Sequence, residues 1–407
     1  MLTDKLDLRS GPTPWQDDAW NRPVADPMPP DCDVAIIGAG ISGAIMAERL
    51  SADGHAVVLL DRRPPGMGST AASTAQIMWA MDVPFTELAA SLGEDEAARR
   101  WRLVHASVSR FGDRIEDLGL DRLKRDCPTV YLNGPLLDPE GLRREGEVHL
   151  KNGLPSNFLK GQAVAERFGI APRDALVLGD GFAIEPVRLA HGLLEAARER
   201  GARICYPFDA IGLEERKNGI AISLAEGQEL RAKSVVLTTG YERADLFLPR
   251  NFKLLSTFVI ATPPRTAPLW REEAMIWEAA DPYLYVRSDP DGRVLVGGED
   301  EDLCDPLRRD ELIGTKAGTI AAKAASLLGS EPLKIDRAWA ATFGSSPDGL
   351  PAIGRAANMT KVWLAAGYGG NGIAFAALAA ELLSGALVGR AETDLACFAP
   401  YRFGSDR

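Results

Sequence analysis

The chain has 407 residues, 46% hydrophobic and 25% charged, which is the make-up of an ordered globular protein and excludes wholesale disorder. At about 150 residues per folding unit this length holds between about two and three units, enough to bury a core without disulfide or metal staples. Its 46 Lys and Arg against 57 Asp and Glu leave a net charge of −11 with no long basic run, so a nucleic-acid partner is not expected.

In chain order, the segment from Met1 has no apolar stretch of the secretory kind, so no signal is expected. Residues 1–29 form an N-terminal arm, because Pro12, Pro14, Pro23, Pro27 and Pro29 deny the backbone regular hydrogen bonding. Residues 34–37 are a short continuous apolar run, as expected of a strand buried on both faces of a parallel sheet. A glycine-rich turn, a helical stretch over 44–50 and a second apolar strand at 56–60 complete a βαβ unit. From 85 to 120 the apolar residues recur at helical spacing, including Leu88, Trp101, Val104, Val108 and Ile115.

Residues 181–194 read as an entry loop and a helix, and 202–205, 221–224 and 234–237 as strands. Asp289-Pro-Asp-Gly292 places Pro and Gly where a tight turn needs them, so 283–288 and 293–298 are predicted to form a hairpin. A strand at 362–365, a glycine-rich loop at 367–372 and a nearly all-apolar helix at 373–388 follow. The apolar runs 34–47 and 372–380 fall short of the roughly 18 residues that a membrane helix needs, so no membrane span is expected. Cys32, Cys127, Cys205, Cys304 and Cys397 are scattered and form no CxxC pair, so neither disulfides nor a metal site is expected, and a reducing, cytoplasmic compartment is. His55, His105, His149 and His191 belong to no catalytic constellation and are read as surface or helix-packing residues.

The chemistry is carried first by Gly38-x-Gly40-x-x-Gly43 between strand and helix, with Asp61 at the end of the second strand. The first glycine permits the turn, the second lets a pyrophosphate approach the backbone, and the third lets helix pack on strand. Ile41 and Ser42 then open a helix whose N-terminus faces the phosphates, and the Asp61 carboxylate can accept ribose hydroxyls, with Arg62 beside it. This unit points to a dinucleotide without separating NAD from FAD. The small-residue stretch from Gly66 to Gln76 adds backbone amides and hydroxyls suited to a pyrophosphate.

Together with Val235-Val-Leu-Thr-Thr-Gly-Tyr241, Asp348-Gly-Leu-Pro-Ala-Ile-Gly354 and Gly367-Tyr-Gly-Gly-Asn-Gly-Ile373, these blocks resemble the D-amino acid oxidase superfamily of FAD-dependent oxidoreductases, which includes glycine and sarcosine oxidases. The likeness is concentrated near 33–80, 181–245, 283–300 and 337–389. It implies an α/β chain with a Rossmann-type FAD-binding domain at 30–85, 181–247 and 337–407, and a mixed-sheet α+β substrate domain at 86–180 and 248–336. It also implies that Gly38, Gly40, Gly43 and Asp61 hold the ADP half of FAD. Ser69, Thr70 and Thr74 would line the phosphate and flavin-side loop, Gly240 would pass the adenosine, and Gly369, Gly370, Asn371, Gly372 and Ile373 would lie at the pyrimidine edge of the flavin. Members that attach flavin covalently use Cys or His; the corresponding positions here are Ala72 and Ala341, so the FAD is expected to be non-covalent.

On the same resemblance, hydride passes from a carbon bearing an amine to flavin N5, the substrate being an amino acid or related amine. Oxidation of a hydroxy acid or polyol phosphate, and a flavin-binding subunit that needs a partner chain, are the alternatives. Tyr283, Tyr285 and Arg287 share one face of a strand at period two. Tyr285 can line the substrate pocket, and Arg287 either anchors a substrate carboxylate or forms a structural salt bridge.

Overall fold

The computed structural model describes residues 8–16, 23–242, 247–390 and 393–404. Parts of the expected arm and of the last segment of the FAD-binding domain lie outside these residues.

The apolar run after the arm is the strand Asp31–Ile37, which pairs in parallel with Val57–Leu60 and with Glu229–Leu237. The helix Ile41–Ala52 connects the first pair. The strand Arg203–Cys205 extends this parallel core at one edge. At the other edge the long strand Glu229–Leu237 splits its partners. Its first half pairs antiparallel with Gly219–Leu224, and its last residues pair in parallel with Val362–Ala366. Helices Ile41–Ala52, Pro186–Glu199 and Gly372–Leu387 pack beside this sheet with Leu50, Leu189, Leu193 and Leu378 buried.

A second, nine-stranded sheet runs in the order Arg9–Ser10, Arg337–Ser345, Lys253–Ala261, Val294–Glu301, Leu284–Ser288, Met275–Glu278, Thr129–Leu132, Ala175–Leu178, Ser156–Leu159. Strand alternation divides its faces. Val286, Val294 and Val296 meet Ala317, Ile320 and Ala324 of the helix Pro306–Leu328. That helix is started by the Asp305 carboxylate accepting from Arg308 N at 2.9 Å and stopped by Gly329 at φ +63°. The other face carries Tyr131, Trp277 and Tyr285 toward the first sheet. A small third sheet, Gln76–Ile77, Phe182–Ile184 and Lys124–Asp126, lies between them.

The predicted hairpin is present, closed by Asp289 N to Arg293 O at 3.0 Å and Gly292 N to Asp289 O at 2.9 Å. Three expectations are revised. The helical pattern over 85–120 is two helices, Phe85–Leu92 and Glu94–Asp117, separated by Gly93 at φ +86°. The strand Arg337–Ser345, expected with the FAD-binding segments, pairs instead with Lys253–Ala261 in the nine-stranded sheet, and Arg9–Ser10 of the arm adds to its edge. Gly369–Leu387 also has the length and hydropathy of a membrane span, with 72% of its apolar window buried inside the fold, so it is core.

Candidate active site: one cleft between two sheets

A single cleft runs from the end of the strand Val57–Leu60 to the inner face of the nine-stranded sheet. Its floor at one end is the glycine turn. Gly38 sits at φ +115°, and a Cβ on Gly43 would lie 1.8 Å from Gly38 O. Gly43 therefore does not line the cleft. It lets the helix close onto the turn, while Gly38, Gly40, Ile41 and Ser42 face the cleft. Thr70 Oγ1 accepts from Ile41 N at 2.9 Å, which occupies one free amide of the helix N-terminus and ties the loop after the second strand to it. A Cβ on Gly40 would meet Thr70 Oγ1 at 3.0 Å, so the glycine keeps this cradle open.

Asp61 faces the same end. Its carboxylate accepts from Ala39 N at 2.7 Å and Arg63 N at 2.8 Å, and burial raises its pKa against the lowering by these amides. Arg62 is not free to meet a ligand with its whole guanidinium, because Nη2 pairs with Glu242 at 2.9 Å, and Arg63 pairs with the same carboxylate. Glu242 is buried, and burial raises its pKa. Phe208, Thr238, Thr239 and Tyr241 complete this wall with Gly240, whose φ of +63° leaves open space where a Cβ would be.

Ser69, Thr70 and Thr74 line the middle of the cleft, as do Ala72 and Ala341. The arm covers this stretch. Arg9 donates to Met67 O at 3.2 Å, and Trp15 Nε1 donates to Ser73 O at 2.9 Å. Trp339 Nε1 donates to Ala72 O at 2.9 Å, so two indoles fix the loop.

Beyond it, Gly369, Gly370, Asn371, Gly372 and Ile373 line the cleft at the start of the helix Gly372–Leu387. Gly370 N donates to Asp82 Oδ2 at 2.8 Å, and Asn371 Nδ2 donates to Asp82 Oδ1 at 3.2 Å and Ala80 O at 3.0 Å. The Gly370 amide is therefore already engaged by the Asp82 carboxyl, which is exposed to the cleft and whose pKa desolvation raises.

The far wall is aromatic. Trp277, Tyr283 and Tyr285 line it; Trp277 stacks on Tyr131 at 3.9 Å between centroids, and Tyr285 lies flat on Gly297, where a Cβ would meet its ring at 2.2 Å. Burial raises the Tyr285 phenol, and Thr257 Oγ1 lies 3.4 Å from its hydroxyl.

Arg287 does not join them. It is 1% exposed, and its Nη1 donates to Ala75 O at 3.0 Å and Ile184 O at 2.9 Å, with its guanidinium over the Trp15 ring. Among the described residues no carboxylate pairs with it, and burial pulls its pKa down to about 10. Neither expected role holds for this residue, carboxylate anchor or salt bridge. Arg287 lies about 7 Å further along the strand than Tyr285, beyond the cleft. His149 packs among Trp79, Phe85 and Trp101 and bonds Glu145, and His191 bonds Pro65 O, so both serve packing.

The cleft thus offers a dinucleotide cradle at one end and a closed aromatic wall at the other, a shape suited to an extended cofactor with its reactive ring inward. Residues 33–386 match the family model described as FAD dependent oxidoreductase. The chain belongs to that family.

Among curated proteins this FAD dependent oxidoreductase is 24% identical to the probable oxidoreductase OrdL of Haemophilus influenzae over 380 residues, covering 88% of this chain and 83% of that one. It is 23% identical to the glycine oxidase of Bacillus licheniformis, covering 88% and 93%. Its fold matches the glycine oxidase structure from Geobacillus kaustophilus with a TM-score of 0.73 at 19% identity, covering 92% and 99% of the chains. The L-proline dehydrogenase structure from P. horikoshii matches with 0.74 at 20%, covering 92% and 98%. FAD is accordingly the cofactor of this oxidoreductase, and the open cradle at Gly40 and the space at Gly240 fit its ADP half.

Asp82 and Glu242 were absent from the motif reading. The only local signal for Glu242 is that it follows Gly240 and Tyr241; for Asp82 there is none, since its neighbour Gly370 is 288 positions away.

Proposed function

We propose that the chain oxidises a C–N bond of an amine or amino acid. Bound FAD supplies the two-electron acceptor. The reacting carbon loses hydrogen with its electron pair, the nitrogen lone pair closes a C=N bond, and water then releases a carbonyl compound and an amine. The aromatic wall excludes water and holds the carbon, and Gln76, Asp82 and Thr257 offer acceptors for a nitrogen-bound proton. One observation carries this reading: the acceptor-rich aromatic end is continuous with the dinucleotide cradle in one cleft. Relatives titled glycine oxidase and L-proline dehydrogenase are consistent with it.

Neither alternative gains a specific observation. A hydroxy acid or polyol phosphate calls for a cation at the substrate end. Among the described residues that line the cleft, the cations are Arg9, Arg62 and Arg63, and Arg62 and Arg63 bind Glu242 while Arg9 bonds the loop at Met67. Cys and His are absent from that lining, so the FAD is proposed to be held without a covalent bond, and acid denaturation should release it intact into the supernatant. All five cysteines are free thiols, in keeping with a cytoplasmic setting. The test of the reaction is product analysis. After turnover with N-alkylamines, amino acids and hydroxy acids, carbonyl product should appear with released amine; turnover of hydroxy acids alone would sink the proposal.

A further inference from the structure

The far wall is rich in ring faces, and among the described residues that line it there is an acid and no counterpart cation. Trp277 is the cross-strand partner of Tyr285, and the rings of Tyr283 and Tyr285 are 5.8 Å apart. Trp277 is 8% exposed and lines the cleft, yet its indole N–H has no acceptor, and both polar atoms of the Gln76 amide are also unpartnered. Buried polar groups are rarely left so unless a ligand meets them. Asp82 lines this end of the cleft, and Asp300 lies outside the lining, behind it. Asp300 Oδ1 has no partner, and its carboxyl sits beside Tyr283 and Thr257 and feels the Asp82 charge. Lys316 and Lys323, on the helix behind, are bound to Glu299 and Glu301. Arg287 is turned to backbone carbonyls.

A carboxylate placed here would meet the Asp82 carboxyl, with Asp300 behind the lining, and among the described residues no guanidinium or ammonium, although carboxylate recognition normally uses a paired cation. An ammonium would meet aromatic faces, whose quadrupoles attract cations, and acceptor oxygens for its N–H groups.

We propose that this end of the cleft binds an amine as its ammonium, which passes one proton to the Asp82 carboxylate and so frees the lone pair, and that it selects an amine with no carboxylate on the reacting carbon. This rests on the C–N reading and narrows it from amino acids to amines. Gln76 Oε1 accepts an N–H of the ammonium, and the Trp277 N–H meets a neutral acceptor elsewhere on the molecule.

The test is calorimetric titration of FAD-loaded enzyme with two non-oxidisable probes, 2-phenylpropan-2-ammonium, which has N–H groups but no hydrogen on the carbon bearing nitrogen, and benzoate. The ammonium should bind about tenfold tighter or more, and Asp300→Asn should weaken it by about tenfold with FAD content unchanged. Asp82→Asn, which keeps an acceptor for Gly370 N–H, should weaken it as well. Benzoate binding as tightly as the ammonium would overturn the assignment, as would an ammonium affinity untouched in both variants. Ammonium binding without flavin bleaching by any amine would support the assignment and defeat the C–N reading. Bleaching by amino acids, with benzoate the tighter probe, would defeat the assignment and leave that reading standing.

Discussion

The two ends of the cleft are built by different means. At the dinucleotide end the ligand-facing surface is mostly backbone, shaped by Gly38, Gly40 and Gly43 within a few residues of one another and closed by Asp61. At the far end it is side chains, gathered from Gln76, Asp82, Thr257, Trp277, Tyr283, Tyr285 and Tyr368 on separate elements. A backbone cradle tolerates many neighbours but few substitutions. A side-chain wall is re-specified one residue at a time, which is why a shared cofactor site coexists with divergent substrates.

The largest effect should come from the cradle. Gly43→Val puts a Cβ into Gly38 O and should abolish FAD binding or folding; a yellow, stable variant would break the claim that close helix approach shapes this end. Asp61→Ala removes an acceptor held by the Ala39 and Arg63 amides. It should weaken FAD binding by about 1.5–3 kcal/mol per charged hydrogen bond at most, with flavin reduction normal once FAD saturates. An unchanged FAD Kd would remove Asp61 from the site.

Arg287→Leu sharpens the other side of the comparison. The Ala75 and Ile184 carbonyls would lose their donor, so stability should fall by about 1–3 kcal/mol while KM stays at the wild-type value. A raised KM without loss of stability would return Arg287 to the substrate.

The smallest effect is on pH. Burial raises Asp300 from 3.8 to about 6, so between these values the folded chain binds more protons than the unfolded one. Its contribution to stability therefore falls as pH rises from about 4 to about 6 and then levels off. Ionisation over the same range adds negative charge to the far end, so ammonium affinity should rise toward neutral pH, and Asp300→Asn should flatten that rise.

What could be read from the sequence follows the same division. The turn at 38–43, the hairpin at 289–292 and the helix after Gly372 were legible, because short-range φ requirements, turn residues and apolar periodicity specify them locally. Asp82 and Asp300 were not, since sheet register and sequence-distant packing place them near the cleft. Arg287 marks the limit of periodicity: period two gives the face shared with Tyr285 but not where along the strand the cleft ends. The place of the strand Arg337–Ser345 in the nine-stranded sheet was not legible for a related reason, its partner Lys253–Ala261 being chosen by long-range pairing.

The central claim, that this cleft brings an amine carbon to the flavin, is tested most directly by anaerobic rapid mixing of FAD-loaded enzyme with an amine lacking a carboxylate. The same amine deuterated at the carbon bearing nitrogen serves as the comparison. The account predicts single-turnover bleaching of the flavin that is slower for the deuterated amine. Bleaching by hydroxy acids but by no amine, or a rate indifferent to deuterium at that carbon with chemistry rate-limiting, would contradict it.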